Sequence, residues 1–244
     1  GKDIPEVSNV VLTPFSWSAE ILRFMGCDAI WLGHPLKQMV AEQIGEPQER
    51  EAIAVLPGSR MHEVEYNLPI IAEEVKGMVS PVVFAAASSI FPDDLLEVWE
   101  RCGGGPATVV DSAAKAFAQA KAAVVCSGTA TLEGAICQCP MVVVYKGSKL
   151  MEIEARIRRP KVDFISLPNI LLGRRLLPEF ILWQVTVEAI QQALTPLLVD
   201  STERAAQLQG FDELDASLGP DDAIDRSVGI LWDQSSRTWN ATAD

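Results

Sequence analysis

The sequence lacks the features that mark membrane-spanning and secreted proteins. No uninterrupted apolar run reaches the roughly 18 residues that a bilayer-spanning helix needs. In the nearest candidate, residues 176–187, the run is interrupted by Pro178, Glu179 and Gln184. The first residues also lack the apolar core of a secretory signal. The chain begins with Gly1 and not with Met, which indicates a processed product or a fragment.

Metal-ligating residues are scarce as well. Only two histidines and five cysteines occur in 244 residues, and no two cysteines have the C-x2-C spacing of a zinc site. Cys137 and Cys139 are separated by one residue, and both histidines lie far from them in sequence. We therefore expect no metal and no other cofactor. We expect reduced, buried thiols, which favour a reducing, cytoplasmic compartment.

Positive charge is in the minority. Lys and Arg number 20 against 33 Asp and Glu, which gives a net charge of −13. Nucleic acids and anionic lipids are polyanions that an acidic surface repels, so we expect no nucleic-acid partner. Any membrane contact would have to be apolar or locally basic.

From about residue 51 onward, short apolar, β-rich runs alternate regularly with segments of helical period. This alternation is typical of a parallel sheet covered by helices, and right-handed crossovers would make the sheet doubly wound and Rossmann-like. The predicted strands are residues 52–56, 81–86, 107–110, 122–126 and 141–145. The predicted helices are residues 63–78, 92–102, 112–119, 131–137, 179–198, 202–208 and 221–232.

The same pattern predicts four parts of the chain. Residues 1–50 do not follow the alternation and end in a linker-like stretch with Gly45 and Pro47. Residues 51–178 are the predicted α/β domain. They are followed by C-terminal helices over residues 179–234, with a break at Gly210, and by a polar tail over residues 235–244.

One predicted strand-to-helix turn is a candidate phosphate site. Residues 56–60 read Leu-Pro-Gly-Ser-Arg. Gly58 permits close backbone approach, Ser59 offers a hydroxyl, and Arg60 can hold two phosphate oxygens through its fork of N–H groups. A plain turn with a surface arginine is the alternative interpretation.

A second turn repeats the arrangement after another predicted strand. Ser127, Gly128 and Thr129 combine hydroxyls and a glycine at a helix start, so a diphosphate could lie between the two turns. Glu133 falls in the first helical turn and could accept hydrogen bonds from ribose hydroxyls. Helix capping uses the same atoms and is the alternative.

Three further features are candidates for a binding or catalytic role. Asn169 is a lone amide in an otherwise apolar loop, where it could form a turn or bind a sugar hydroxyl. His34 could act as a general base, and His62 could assist phosphate binding, although backbone-bonded or surface histidines are the alternatives. A basic segment could form a solvated helix face, or could contact a phosphorylated acceptor or a lipid headgroup. Its members are Lys146, Lys149, Arg156, Arg158, Arg159 and Lys161.

Taken in order, six segments resemble lipid-A-disaccharide synthase. They are residues 33–36, 56–60 with Glu63-Val64, 127–133, 140–145, 166–169 and 178–179. The resemblance implies the GT-B architecture of two facing Rossmann-like domains, in which the C-terminal domain holds the donor UDP-2,3-diacylglucosamine. It implies metal-free transfer of that sugar to 2,3-diacylglucosamine 1-phosphate, with release of UDP. It also implies a cytoplasmic protein that contacts the inner membrane peripherally, and it leaves self-association open.

The resemblance also implies roles for particular residues. The glucosamine or the cleft would be faced by Asn169, Glu179 and Gln184, of which Gln184 departs from the family's spacing. The ribose would be bound by Glu133, and the uracil edge would meet Val109 and Val110. The diphosphate would be lined by Gly58, Ser59, Arg60, Ser127, Gly128 and Thr129.

One departure from the family affects catalysis. The stretch between residues 13–18 and Gly33 is shorter than in the family, and nearly a whole domain would be absent before Gly1. That domain supplies the family's acid/base residue, so the catalytic residue is expected outside this chain, with His34 as the candidate within it. Two alternatives stay open. The chain could be a UDP-sugar 2-epimerase, or it could be a non-catalytic UDP-sugar-binding remnant or one chain of a split enzyme.

Overall fold

The chain folds into two compact units. The computed structural model describes residue 4 and residues 8–45, 49–78, 80–158 and 163–241, with side chains described as far as residue 234. One unit contains the described residues within 1–42 and 215–244, and the other contains those within 43–214. Residues around 215–225 bond to the beginning of the chain, as in the Lys37–Asp221 ion pair and the hydrogen bond from the Ile224 N–H to Gln38.

The first unit begins with two short parallel strands, each followed by a helix. Strand β1 (Val11–Thr13) leads into helix α1 (Ser16–Phe24), and strand β2 (Ala29–Trp31) leads into helix α2 (Pro35–Gln43). The buried side chain of Ala19 packs α1 against these strands.

A six-stranded parallel sheet forms the centre of the second unit. Its strands are β3 (Ala52–Leu56), β4 (Val82–Ala85), β5 (Ala107–Val110), β6 (Ala120–Cys126), β7 (Met141–Tyr145) and β8 (Glu179–Ile181). The spatial order is β5-β4-β3-β6-β7-β8, with all neighbours parallel. Runs of Val, Ile and Ala suit strands that are buried on both faces. The Rossmann-like sheet that the sequence predicts is therefore confirmed.

Helices cover both faces of this sheet. They are α3 (Met61–Val75), α4 (Pro92–Arg101), α5 (Ala113–Gln119), α6 (Ala130–Ile136), α7 (Lys149–Arg158), α8 (Leu167–Leu172), α9 (Val187–Leu194) and α10 (Thr202–Ser217). Alternate strand residues point to opposite faces. Ile53 and Val55 enter one apolar cluster with α3, α4 and α9. Ala54 is buried toward the other face, where α5 lies against β3 and β4.

The predicted helix over residues 179–198 is wrong at its beginning. Residues 179–181 form the edge strand β8, because their backbone pairs with Val143–Tyr145 of β7. A 3-10 turn follows at Leu182–Gln184, where Leu182 has a φ of +54°, and α9 begins only at Val187. The three-residue strand is too short to show a period in the sequence.

The predicted break at Gly210 is also wrong, because α10 runs through this position. A Cβ on Gly210 would lie 2.3 Å from the Cδ1 of Leu176. The glycine therefore permits close packing and does not end the helix. The last helix, α11 (Ala223–Ala241), continues past the start of the predicted polar tail at residue 235.

Lys37 joins the two sequence segments of the first unit. Its buried ammonium lies 3.0 Å from Asp215 and 2.6 Å from Asp221, and it donates to the carbonyl of Gly219 at 2.9 Å. Burial alone would lower the pKa of Lys37, but the two carboxylates raise it above its usual value. Asp215 and Asp221 are 42% and 78% exposed, so solvent screens each pair and limits its contribution to about 1 kcal/mol or less. Together with the bond to Gly219, these contacts attach the C-terminal segment to this unit.

The cysteines are free, and four of the five are buried. Burial raises the pKa of Cys126, Cys137 and Cys139 to about 12. Protonated thiols of this kind are unreactive. The prediction of buried thiols is confirmed for all but Cys102, which is half-buried.

Candidate functional site

Two loops that follow neighbouring strands form the centre of the candidate site. Residues 57–60 follow β3, and residues 127–129 follow β6. The two strands are adjacent and parallel, with Leu56 opposite Val125, so both loops leave the same edge of the sheet. Strand order reverses at this point, and open α/β sheets bind ligands at such reversals. The structure thus brings together the two turns that the sequence singles out.

The carboxylate of Glu63 holds the loop after β3. It accepts hydrogen bonds from the backbone N–H of Ser59 at 2.8 Å and of Arg60 at 3.2 Å, and from the Arg60 guanidinium at 3.0 Å. Gly58 has a φ of +136°, and a Cβ there would lie 2.5 Å from the Glu63 Cβ. Glu63 therefore engages two backbone N–H groups of the predicted phosphate turn. The Arg60 side chain, 68% exposed, retains further N–H groups for an anion.

A fully buried amide, Asn67, ties this loop to the loop after β7. Its Nδ2 donates to the carbonyls of Pro57 and Glu63, each at 2.9 Å, and its Oδ1 accepts from the backbone N–H of Lys146 at 3.0 Å. Sequence reasoning missed Asn67. Its position four residues after Glu63, on the apolar stripe of α3, is the signal that could have found it, because a buried amide needs partners.

Two hydroxyl groups fix the loop after β6. Ser127 Oγ donates to the carbonyl of Ile165 at 2.6 Å, and Thr131 Oγ1 donates to the carbonyl of Gly128 at 2.8 Å. The Ser127 hydroxyl therefore donates its proton to a structural partner and is not a free donor for a ligand. Gly128, with a φ of +157°, and Thr129 are exposed and can meet a ligand.

Glu133 is a half-buried carboxylate in the first turn of α6. Burial raises its pKa above the usual value. Among the residues that the structure describes, its carboxylate has no hydrogen-bonding or ion-pair partner. It can therefore accept bonds from a pair of ligand hydroxyls, as the sequence suggests.

A cavity of about 340 Å³ lies at the carboxyl ends of β4 and β5. Val109 and Val110, predicted at the uracil edge, both line it. The rest of the lining is mainly apolar and comprises Ala86, Ala87, Ser88, Ile90, Pro92 and Asp111. Its size and apolar walls suit a small planar ring.

Asn169 does not face a cleft. Its side chain is fully buried, and it lies in helix α8 and not in a loop. Its Oδ1 accepts from the N–H groups of Leu176 at 2.7 Å and Leu177 at 2.8 Å, and its Nδ2 donates to the Leu177 carbonyl at 2.9 Å. These bonds correct the expected sugar contact, because they use the amide to hold the turn that leads into β8.

Glu179 is buried as well, and this corrects its expected place facing the cleft. Its carboxylate accepts bonds from the backbone N–H groups of Ile165 and Ser166 and from the Ser166 hydroxyl. The carbonyl of Ile165 also accepts the bond from the Ser127 hydroxyl. Glu179 therefore supports the loop after β6 indirectly, by holding Ile165 in place. Gln184 is exposed and accepts from Ile181 through Oε1, so its NH₂ group can meet a ligand.

Within the basic segment, glutamates neutralise two of the cations. Lys146 lies 2.9 Å from Glu152, and Arg158 lies 3.1 Å from Glu154. For Arg158 the interpretation as an interleaved helix face is confirmed, whereas Lys146 lies before the helix. Outside the described residues lie Arg159 and Lys161.

The ring of His34 accepts a backbone hydrogen bond just before α2. Its Nδ1 accepts the backbone N–H of Leu36 at 3.2 Å, its ring lies 5.0 Å from that of Phe15, and burial lowers its pKa. A neutral ring that accepts through Nδ1 carries its proton on Nε2. The other nitrogen then carries the proton, and the catalytic role considered for His34 stays a prediction. His62 is an exposed residue in the first turn of α3.

Solved structures share this fold. A UDP-GlcNAc 2-epimerase of Methanocaldococcus jannaschii aligns with a TM-score of 0.53 at 11% identity, over 93% of this chain and 61% of that one. TarM of S. aureus, solved with UDP, aligns with a TM-score of 0.52 at 12% identity, over 93% of this chain and 45% of that one. At these identities the likeness shows the fold alone.

Sequence comparison is more specific. A lipid-A-disaccharide synthase of Myxococcus xanthus is 30% identical over 241 residues, and one of Neisseria meningitidis serogroup B is 32% identical over 240 residues. These alignments cover 93% and 91% of this chain but 63% and 62% of the relatives, so the chain spans less than two thirds of their length. The family model described as lipid-A-disaccharide synthetase matches residues 3–222. The chain therefore belongs to the lipid-A-disaccharide synthetase family.

Proposed function

We propose that this chain binds the nucleotide-sugar donor of a lipid-A-disaccharide synthase. In the proposed reaction, 2,3-diacylglucosamine passes from UDP to a hydroxyl of 2,3-diacylglucosamine 1-phosphate, and UDP is released. The observation that carries the proposal is the meeting of residues 57–60 and 127–129 at the reversal point of the sheet, in a chain of this family.

The diphosphate would lie between these two loops. Arg60 would bind its oxygens and offset the negative charge that grows on UDP as the bond to the sugar breaks. Glu63 already orients the Arg60 guanidinium, so little ordering is needed on binding. Gly128 and Thr129 would contact the diphosphate from the other side, while Ser59 and Ser127 shape the loops.

The remaining groups divide between the nucleoside and the sugar. The uracil would enter the cavity beside Val109 and Val110, and Glu133 would accept hydrogen bonds from the ribose. Gln184 would meet the glucosamine through its NH₂ group. Asn169 and Glu179 would not contact the sugar; they would act as positioning residues, because their hydrogen bonds hold the segments around the site.

The chemistry of both substrates suggests where the protein works. Acylated glucosamines reside in membranes, so we place the chain in the cytoplasm and peripherally at the inner membrane. In the described part of the chain, no helix is long and apolar enough to cross a bilayer.

Two alternatives have less support. The 2-epimerase alternative is supported by fold alone, at 11% identity. A chain that binds the donor without catalysing transfer uses the same site, and an activity measurement separates it from the enzyme.

The test is to measure UDP binding and sugar transfer on the same preparation. UDP at one hundred times its Kd should raise the free energy of unfolding by about 2.7 kcal/mol. A folded sample that shows no thermal shift with millimolar UDP would contradict the proposal. Transfer from radiolabelled donor to acceptor in detergent would establish the enzyme, binding without transfer would favour a binding chain, and 2-epimerisation of UDP-GlcNAc would favour the epimerase.

A further inference from the structure

Helix α7 presents an apolar stripe that no described residue covers. The helix has no buried residue, and Leu150, Ile153 and Ile157 are 73%, 55% and 76% exposed. At the helical period these three side chains lie within about 60° of one another around the axis. Three aliphatic side chains on one outward stripe form an exposed patch that needs an explanation.

One flank of α7, next to the stripe, is attached to the sheet unit by polar and aromatic contacts. Lys146, just before the helix, pairs with Glu152 at 2.9 Å. The Arg156 guanidinium lies over the ring of Trp183, 5.0 Å from its centroid. These contacts fix the orientation of the helix, so the apolar stripe faces outward because of the fold and not because the helix is loose.

The composition around the stripe matches the surface of an anionic bilayer. Lys149 is exposed beside the stripe, and Arg156 has an aromatic partner and no carboxylate partner among the described residues. These cations stand out in a chain of net charge −13. Trp183 is half exposed next to Arg156, and tryptophan is enriched where proteins meet the headgroup layer. Aliphatic side chains with flanking Lys and Arg are typical of helices that lie in a membrane interface.

The stripe is connected to the candidate site. Lys146 follows the carboxyl end of β7, and its backbone N–H bonds to Asn67, the same amide that holds Pro57 in the first phosphate loop. Helix α7 therefore starts at the sheet edge where the candidate donor site lies. A lipid surface at this edge would bring acylated substrates to the site without removing their chains from the bilayer.

We propose that the α7 stripe of Leu150, Ile153 and Ile157, with Lys149 and Arg156 beside it, is the surface by which this chain lies on an anionic phospholipid bilayer. The explanation for why the stripe lies next to the donor site rests on the proposed function. The surface itself is defined by exposure and charge, and it can be tested without any sugar substrate.

The test is co-sedimentation with vesicles of phosphatidylethanolamine and phosphatidylglycerol. The double substitution Ile153→Ser and Ile157→Ser should weaken vesicle binding about tenfold or more, since it removes most of the apolar contact. The matched control is Ile170→Ser with Val199→Ser, which are 51% and 59% exposed elsewhere on the same unit. The control should bind as the unmodified chain does.

Charge is tested separately. Lys149→Glu should weaken binding severalfold to phosphatidylglycerol vesicles and have little effect with neutral phosphatidylcholine, because anionic lipid attracts nearby cations. Binding by the unmodified chain should fall as salt is raised.

Three results would overturn the proposal. They are absence of binding to anionic vesicles, equal binding by the Ile153/Ile157 variant and the control, and a loss of self-association in place of vesicle binding. The last result would assign the stripe to a second copy of the chain. A UDP thermal shift on every variant checks folding, and vesicle binding without a UDP shift would contradict the proposed function while leaving the lipid surface supported.

Discussion

Replacing Arg60 by alanine tests the proposed diphosphate contact most directly. The side chain is 68% exposed and makes one described ion pair, at 3.0 Å to Glu63. An exposed pair of this kind contributes at most about 1 kcal/mol to folding. The substitution should therefore change the melting temperature little, which keeps its effect on binding separable from an effect on the fold.

The expected loss of affinity follows from the donors that Arg60 keeps. Of five guanidinium N–H groups, one donates to Glu63, and the others can reach phosphate oxygens. Hydrogen bonds to charged groups contribute about 1.5–3 kcal/mol, which corresponds to roughly a 10- to 150-fold rise in the Kd of UDP. Uridine lacks the diphosphate, so its Kd should be unchanged.

Isothermal titration with UDP and with uridine measures both values. Arg101→Ala is the matched control, because it removes the same charge from an exposed side chain that pairs with Glu97 at 3.9 Å on α4. Equal losses for UDP and uridine would show that Arg60 acts through the fold. An unchanged Kd for UDP would remove Arg60 from the diphosphate site.

Two further predictions concern stability. Gly58→Ala should lower the free energy of unfolding by roughly 3 kcal/mol, because a φ of +136° and a crowded Cβ both disfavour alanine there. Gly103 has a φ of +78° and open space around its Cβ position, so Gly103→Ala should cost only about 1 kcal/mol. Equal losses of unfolding free energy in urea titrations would refute the role of crowding at Gly58. Burial, with a smaller effect of Glu188, raises the pKa of Glu74 from 4.5 to about 7, so the folded state holds this proton more tightly and stability falls as pH rises from about 4.5 through 7. Glu74→Gln should therefore stabilise the chain by roughly 2–3 kcal/mol at pH 8 and by less than about 1 kcal/mol at pH 5. The same gain at both pH values, or the same gain from Glu73→Gln, would show that the raised pKa of Glu74 is not the reason.

The central sheet could be predicted because its signal is local. Strands β3, β5 and β7 have the predicted bounds, since each is a short run of apolar or β-branched residues between turns. Strand β8 could not be predicted, because only its pairing with β7 makes residues 179–181 extended. The break predicted at Gly210 is wrong for a related reason. The glycine is required by its contact with Leu176, which is distant in sequence, and not by a helix end.

The candidate site divides in the same way. The two turns could be found because glycine, hydroxyl residues and a following helix lie together in sequence. The roles of Asn169 and Glu179 could not, since the direction of a polar side chain depends on which backbone groups the fold leaves without partners. Glu63 is the clearest case, because the carboxylate that caps α3 also accepts bonds from the backbone N–H groups of Ser59 and Arg60 in the predicted phosphate turn.

The ion pairs of Lys37 have a consequence for biosynthesis. Its two carboxylate partners are Asp215 and Asp221, the first of them 178 residues further along the chain. A ribosome that releases the chain from its N-terminus exposes the whole sheet unit before either partner emerges. The contacts of Lys37 with Asp215 and Asp221 can therefore form only after the sheet unit has emerged. Nascent chains that end before residue 215 should show α2 less protected from protease than it is in a chain that includes residues 215–221.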